Sequence, residues 1–411
     1  MQKFEKHSPV VVTEVTTKHE LRQFMQYPNR LYADNPNYIP SFYGDDLSDW
    51  TPGKNPAFDY CEARCWLAWR DGEIVGRIGA ILSHKANDKF GTHRMRFSQV
   101  DFVDDSEVSA ALFGMVERWA REKGCDQVHG PLGFTDMDRE GMLVEGFDRR
   151  SLFFTNYNAP YYLEHLTRLG YRKDVDWIEY RITVPAPGST EAERLHKLSE
   201  FILKRKNLHV AAVHHKSEYG PFVRQVFELV NAAYAPLYGV VELSDEQIER
   251  YANKFIPLVD PEFVCFVLDE QDKLVAFGVT ALDPSVALKH SDGRLFPFGW
   301  AGVLNDLHHS DTLIMLLTAV RPDLQTEGIN AVMMDHVCQS CNRHGVQFAE
   351  TGPMLELNDH ILAQWKRLEK EQHKRRRCFI KDLNHDVNAA NTAAAAQAEA
   401  PETAPAAESA E

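Results

Sequence analysis

The chain has 411 residues, of which 44% are hydrophobic and 26% charged, with a net charge of −15. This length holds two domains with separate cores, and the acidic balance speaks against general nucleic-acid binding, which needs a basic face to displace counterions. No apolar run is long enough to span a bilayer, Met1–Lys6 lacks a secretory apolar stretch, and the seven cysteines form no disulfide framework, so the expected location is the cytoplasm.

In chain order, Leu67–Gly76 reads as a strand, an Asp71-Gly72 turn and a returning strand. A strand over Met95–Phe102 follows. Val108, Leu112, Met115 and Trp119 then recur at helical spacing, with Asp104 or Asp105 as N-cap and Gly124 past the end. A short strand ends in Gly130-Pro131, and Trp177–Ile182 reads as the strand closing this half. Val184–Thr190, rich in Pro and Gly, is the linker, and Glu191–Lys206 is a helix.

The second half repeats the order. Phe263–Leu268 and Leu274–Ala281 form the hairpin, and Leu313–Val320 the next strand. A helix with Ile329, Val332, Met333 and Val337 on its apolar face stops at Gly345. A strand then ends in Gly352-Pro353, and Arg375–Ile380 closes the half. Matching order predicts a duplicated α/β fold with mixed central sheets flanked by helices. The domains are 1–183 and 195–383, joined by 184–194, and the Ala-, Glu- and Pro-rich tail 384–411 is expected to be disordered.

Only the second half carries Gln325-Thr326-Glu327-Gly328-Ile329-Asn330 between its strand and its helix. A strand, a glycine turn and a helix start leave backbone N–H groups pointing one way at the positive end of the helix dipole, which suits an anion. The same turn also serves as a plain connection, and spacing alone leaves both readings open.

With Gln325 and Gly328 in place, the loop resembles the acyl-CoA pyrophosphate loop of the GNAT acyltransferase superfamily, although Asn330 stands where Gly or Ala is usual. The resemblance implies a thioester lying along Ala319 and Val320, and a loop of Gln325, Gly328, Ile329 and Asn330 around the diphosphate. It also places Asn358 and Trp365 at the start of the last helix, where the family commonly has a Tyr as proton donor. Glu350, on the strand at the expected sheet split, is the first choice of general base; a buried carboxylate paired with Lys or Arg is the other reading. In the first half, Asp104-Asp105-Ser106-Glu107 replaces the loop, and those carboxylates would repel a diphosphate.

After Gly130-Pro131 comes a long insertion with Asp136, Asp138, Glu140, Glu145 and Asp148, then Tyr157-Asn158-Ala159-Pro160-Tyr161-Tyr162. Carboxylates beside aromatics suit an amine, so Asp136, Glu145, Asp148, Tyr157, Asn158 and Tyr161 are the candidate substrate contacts. Asn158 is equally a helix cap and the tyrosines equally packing residues. Lys54–Phe58, Gly76–Ala80, Glu145-Gly146-Phe147-Asp148 and the Tyr-Asn-x-x-Tyr-Tyr element resemble a bacterial tandem-GNAT group similar to the bacterial ceramide synthases. That resemblance implies acyl-CoA as co-substrate and a small-molecule or lipid amine, such as a long-chain base, as acceptor. An acyl-CoA-binding regulatory module and an aminoacyl-tRNA-dependent transferase stay open as alternatives. Cys338-x-x-Cys341 with His336 and His344 lacks a second ligand pair, so no metal is expected. Lys374–Arg377 is a basic run expected at a solvated strand end, and could lie near a 3′-phosphate or a membrane surface as a peripheral contact.

Overall fold

The computed structural model describes residues 8–383; the expected disordered tail lies outside the described residues. Its strands, in chain order, are β1 (Val11–Glu14), β2 (Cys61–Arg70), β3 (Glu73–Ser83), β4 (Arg94–Phe102), β5 (Gln127–Gly130), β6 (Met142–Glu145) and β7 (Arg172–Thr183). The second half supplies β8 (His209–Val210), β9 (Val264–Leu268), β10 (Leu274–Leu282), β11 (Thr312–Val320), β12 (Phe348–Glu350), β13 (Met354–Leu355) and β14 (Lys370–Asp382). The β2–β3 turn is the expected one, with Asp71 and Gly72 both at positive φ (52° and 83°).

All of these strands belong to one sheet, ordered β1-β2-β3-β4-β5-β14-β7-β12-β11-β10-β9-β8, with β6 on β14 and β13 on β7. The two closing strands are therefore exchanged. β7, expected to complete the first half, runs antiparallel to β12, with Ile182 opposite Ala349. β14, expected to complete the second, runs antiparallel to β5, with Ile380 opposite His129. The two pair with each other along the midline, Arg376 opposite Trp177. The halves thus share a sheet and do not fold around separate ones.

Each half keeps its own apolar layers. In the first, the helix Ser106–Glu122 buries Val108, Leu112 and Trp119 against Trp66, Phe97 and Phe102; burying such side chains is worth about 1.5–3 kcal/mol each. In the second, the helices Thr190–Lys206 and Asn330–His344 cover one face of β9 and β10 through Ile202, Ile329, Val332 and Met333. Gly220–Tyr234 covers the other with Val226, Phe227 and Val230. Local signals set the helix ends: Ser189 caps Thr190–Lys206, and Gly345, at φ 71°, ends Asn330–His344.

Candidate active site

β11 pairs with β10 along most of its length but with β12 only over Thr312–Ile314. Val279 lies opposite Leu317 and Thr280 opposite Met315, so Leu316 is an extra residue, and this bulge turns the strand away from its neighbour. A cleft of about 180 Å3 opens where the strands part. Met315–Thr318 form one wall, Thr351–Met354 the other, and Met333, Met334 and Trp365 also line it. A second cleft of about 80 Å3, with Met137, Phe227, Phe255 and Phe266 in its lining, shares Val279, Leu316 and Leu317 with the first. Among the described residues, no charged side chain lines either cleft.

One end of the larger cleft meets the glycine turn through Asn330. The helix Asn330–His344 has no side chain capping its N-terminus. Glu327 N–H donates to Leu324 O and Ala331 N–H to Gly328 O, whereas the amides of Gly328, Ile329 and Asn330 have no acceptor among the described residues. Gly328 is exposed, at φ 80°, and a Cβ there would stand 3.2 Å from Ile202 Cδ1. Glu327 does not present a bare carboxylate to an anion, because Lys206 Nζ lies 2.6 Å away and holds it below the usual carboxylate range. Gln325 turns its amide back onto Val320 O at 3.3 Å.

The first half lacks both features. β4 has the corresponding bulge, with Arg77 opposite Asp101, Gly79 opposite Ser98, and Gln99 at φ 46°. Its opening, however, is filled by the chain after Pro131. Leu132 N–H donates to Phe97 O at 3.0 Å, and Arg96 Nη1 to Gly133 O at 2.8 Å. The helix that follows is capped by Asp105, which accepts from Glu107 N and Val108 N and pairs with Arg70.

The sequence-predicted residues scatter around these features. Ala319 and Val320 do not line the larger cleft; they face the cores on opposite sides of the sheet, because the bulge shifts the exposed stretch to Met315–Thr318. Glu350 is the carboxylate of the alternative reading: Lys374 Nζ sits 3.1 Å from it and bridges to Glu179 at 3.4 Å. Asn358 caps the next helix, accepting from Ile361 N–H at 3.3 Å. Trp365 is buried and its indole N–H donates to Met354 Sδ at 3.2 Å. Asn158 caps no helix; it clamps β6, accepting from Leu143 N–H at 2.7 Å and donating to Leu143 O at 3.0 Å. The Tyr161 hydroxyl donates to Phe102 O, and Tyr157 accepts from Asn35 at 2.6 Å within a cluster of tyrosines. Asp148 projects into solvent, its side chain 83% exposed, and Glu145 stands 3.4 Å from Arg375. The basic run is not a solvated end. Lys374 and Arg376 are fully buried on Glu179, while Arg375 and Arg377 pair with Asp176.

Asp136 differs from the rest. The chain carrying it reaches across to the second half, where Met137 packs against the cluster containing Ala319 and Phe277. Its Oδ1 is buried without a hydrogen-bond partner, and burial, then the negative charge of Asp138, pushes its carboxyl up to about 6. Glu140 is raised well above the carboxylate range by burial and by Asp136. Asp138 is spoken for, accepting from Phe134 N–H at 2.8 Å and Tyr251 OH at 3.2 Å. Sequence reasoning missed Tyr234, which lines the larger cleft and donates to Thr318 O at 2.7 Å. Burial first, and Asp136 second, holds this phenol protonated. No motif marks it; only the packing of its helix end on β11 does.

Among the described residues one trio of metal-type ligands converges, His129, Asp174 and Cys378. The Tyr238 hydroxyl sits among them, donating to Asp174 at 2.5 Å and bonded to His129 at 2.9 Å. Burial lowers His129 to about 4 and raises the Cys378 thiol. The group is a hydrogen-bond hub tying the chain near Tyr238 to the midline strands.

A sheet split at a bulged strand, an uncapped helix after a glycine turn, and the same scaffold repeated define a tandem GNAT fold. The tandem GNAT protein from the clavulanic acid biosynthesis pathway superposes over 91% of this chain and 98% of its own, with a TM-score of 0.50 at 14% identity. The glucosamine N-acetyltransferase region of a fungal multi-domain GH3 β-N-acetylglucosaminidase covers 92% of this chain and 38% of that one, with a TM-score of 0.52 at 11% identity. In sequence, the chain is similar to Protein YghO of Escherichia coli, 27% identical over 91% of this chain and 95% of that protein. It is also similar to the bacterial ceramide synthase of Caulobacter vibrioides, 29% identical over 71% of this chain and 75% of that one. No family model matches.

Proposed function

We propose that this protein is an N-acyltransferase that moves an acyl group from acyl-CoA to an amine. The observation that carries the reading is the apolar cleft between β11 and β12 ending at the unbonded amides of Gly328, Ile329 and Asn330. Those amides would take the diphosphate, and the thioester would lie along Met315–Thr318. Backbone N–H groups of that stretch would polarise its carbonyl, a contribution of about 3–4 kcal/mol per donor to the transition state.

In this reading Asp136, which lines neither cleft but whose charge reaches Tyr234 at the wall of the larger one, takes the proton of the attacking amine through intervening solvent. The amine nitrogen forms the C–N bond as the C–S bond breaks, and Tyr234 protonates the departing thiolate. Burial keeps this proton in place until the thiolate forms, and the hydroxyl would then turn from Thr318 O to the sulfur, a role Trp365 cannot fill. Glu350 would have to abandon Lys374 to act as the base, so it serves the ion pair instead.

The uncharged linings of both clefts favour apolar substrate parts, and the similarity to a bacterial ceramide synthase supports a long-chain amine as acceptor. Labelled acyl-CoA incubated with a panel of amines, long-chain bases included, tests the proposal. Labelled amide formed with wild type but not with Gly328→Asp supports it. Acyl-CoA binding without product from any amine would instead favour the regulatory module.

A further inference from the structure

Between β10 and β11 the second half carries two helices, Ser285–His290 and Gly299–His309, joined through Leu295-Phe296-Pro297-Phe298, where the first half has the single short helix His84–Phe90. Its inner side is ordinary core: Ala287, Leu288, Val303 and Leu307 pack on Ile314 and Phe153. Its outer side is not. Phe296 and Phe298 are each 80% exposed, and Val286, Trp300 and Leu304 between 45% and 49%. Together these five are half of the large exposed apolar side chains among the described residues. Scattered exposed leucines need no explanation, but five large apolar side chains gathered on one excursion, three of them aromatic, mark a surface meant to be covered.

The tip is built to present these rings. Gly293 N–H donates to Leu288 O, and Tyr43 N–H, from the first half, donates to Gly293 O, both at 3.0 Å. Trp300 N–H donates to Leu295 O at 2.9 Å and its indole N–H to Pro297 O at 3.1 Å. A Cβ on Gly299 would fall 1.9 Å from Arg294 O, so the turn closes too tightly for any other residue there. The phenylalanines are held outward by a fixed backbone.

Charge selects the occupant. In a chain of net charge −15, the tip between Asp292 and Asp306 contains no carboxylate, and its single ionised side chain is Arg294. His290, His308 and His309 are exposed at the base of the same hairpin. Aromatic rings at the apex beside the Arg294 cation match the order of a bilayer surface, hydrocarbon boundary below phosphate. We propose that this hairpin docks the protein peripherally on a phospholipid membrane, inserting Phe296, Phe298 and Trp300 to interfacial depth. No helix among the described residues is long and apolar enough to cross a membrane, so the contact lies on the bilayer and does not span it. The basic run Lys374–Arg377, buried or paired with carboxylates, has no part in it.

The test is co-sedimentation of the full chain with sucrose-loaded vesicles of phosphatidylcholine and phosphatidylglycerol, and it needs no turnover. Wild type is expected in the pellet, with partitioning at least tenfold weaker for Phe296→Ser/Phe298→Ser/Trp300→Ser. Phe201→Ser, at a position 58% exposed on the helix Thr190–Lys206, should leave it unchanged. Brominated lipid should quench wild-type tryptophan fluorescence, less so in Trp300→Phe. Wild type remaining in the supernatant at every lipid concentration overturns the proposal, as does equal partitioning of the triple variant. A wild-type dimer in sedimentation velocity that the triple variant turns into monomer, without vesicle binding, assigns the patch to self-association instead.

Discussion

Asp136→Asn tests the proposed proton acceptor through stability and activity together, with opposite signs. Burial raises the wild-type carboxyl from 3.8 to about 6. The folded protein therefore binds a proton more tightly than the unfolded chain, and stability is lost as pH climbs through that interval. At about 1.4 kcal/mol per unit, ionising Asp136 costs the fold about 3 kcal/mol at pH 8 and nothing at pH 3. Asn has the same shape without the charge, so the variant should be more stable than wild type by about 2–3 kcal/mol at pH 8. The gain should shrink toward zero near pH 4. Glu140, relieved of its like-charged neighbour, should ionise more readily and reinforce the effect. Urea unfolding at both pH values reads the difference, and a pH–rate profile reads the role: wild-type kcat/KM should fall below about pH 6, and the variant should lose about 10²–10⁴-fold in rate. A variant less stable at pH 8 would show that Asp136 makes favourable contacts and is not a strained carboxylate. A stabilised variant with full turnover would leave the strain in place and remove the catalytic reading.

Other substitutions separate the remaining parts of the account. Tyr234→Phe should lower kcat by about 10²-fold or more with little change in KM, since it removes a proton donor and leaves the ring; steady-state kinetics with a thioester donor decides. Lys374→Met should cost about 3–5 kcal/mol in urea unfolding at pH 7, because it takes the lysine from Glu350 and leaves Glu179 with Arg376 alone. Lowering the pH should shrink that loss, because the advantage that Arg376 and Lys374 give the Glu179 carboxylate fades as it protonates. Gly328→Ala should lose about 1–3 kcal/mol from the left-handed backbone alone, φ 80°, yet keep most CoA affinity, whereas Gly328→Asp should lose both.

Local patterns carried the elements well, and long-range ones did not. The Asp71-Gly72 turn, the β9–β10 hairpin and the stop at Gly345 follow from backbone chemistry within a few residues, so they were legible. The exchange of β7 and β14 was not, because both strands read equally well as the last strand of their own half, and nothing in either names its partner. The cleft position was displaced for a related reason. One extra residue at Leu316 moves the open stretch from Ala319–Val320 to Met315–Thr318, and a bulge inside a largely apolar strand leaves no mark in composition. Among the polar candidates, residue type could not separate Asn158, clamped on Leu143, or Glu350, held by Lys374, from Asp136, whose Oδ1 meets no donor. That distinction belongs to the partners, which lie far away in sequence. The aromatic tip was present in plain view as Leu295-Phe296-Pro297-Phe298-Gly299-Trp300, and only its exposure gives it meaning.

The central claim is that an acyl thioester enters between β11 and β12. Isothermal titration of the protein with a non-hydrolysable thioether analogue of acyl-CoA measures this directly. One analogue should bind per chain, and Gly328→Asp should weaken it at least tenfold. Absence of binding heat across several temperatures, or an affinity that ignores the aspartate, would contradict the reading.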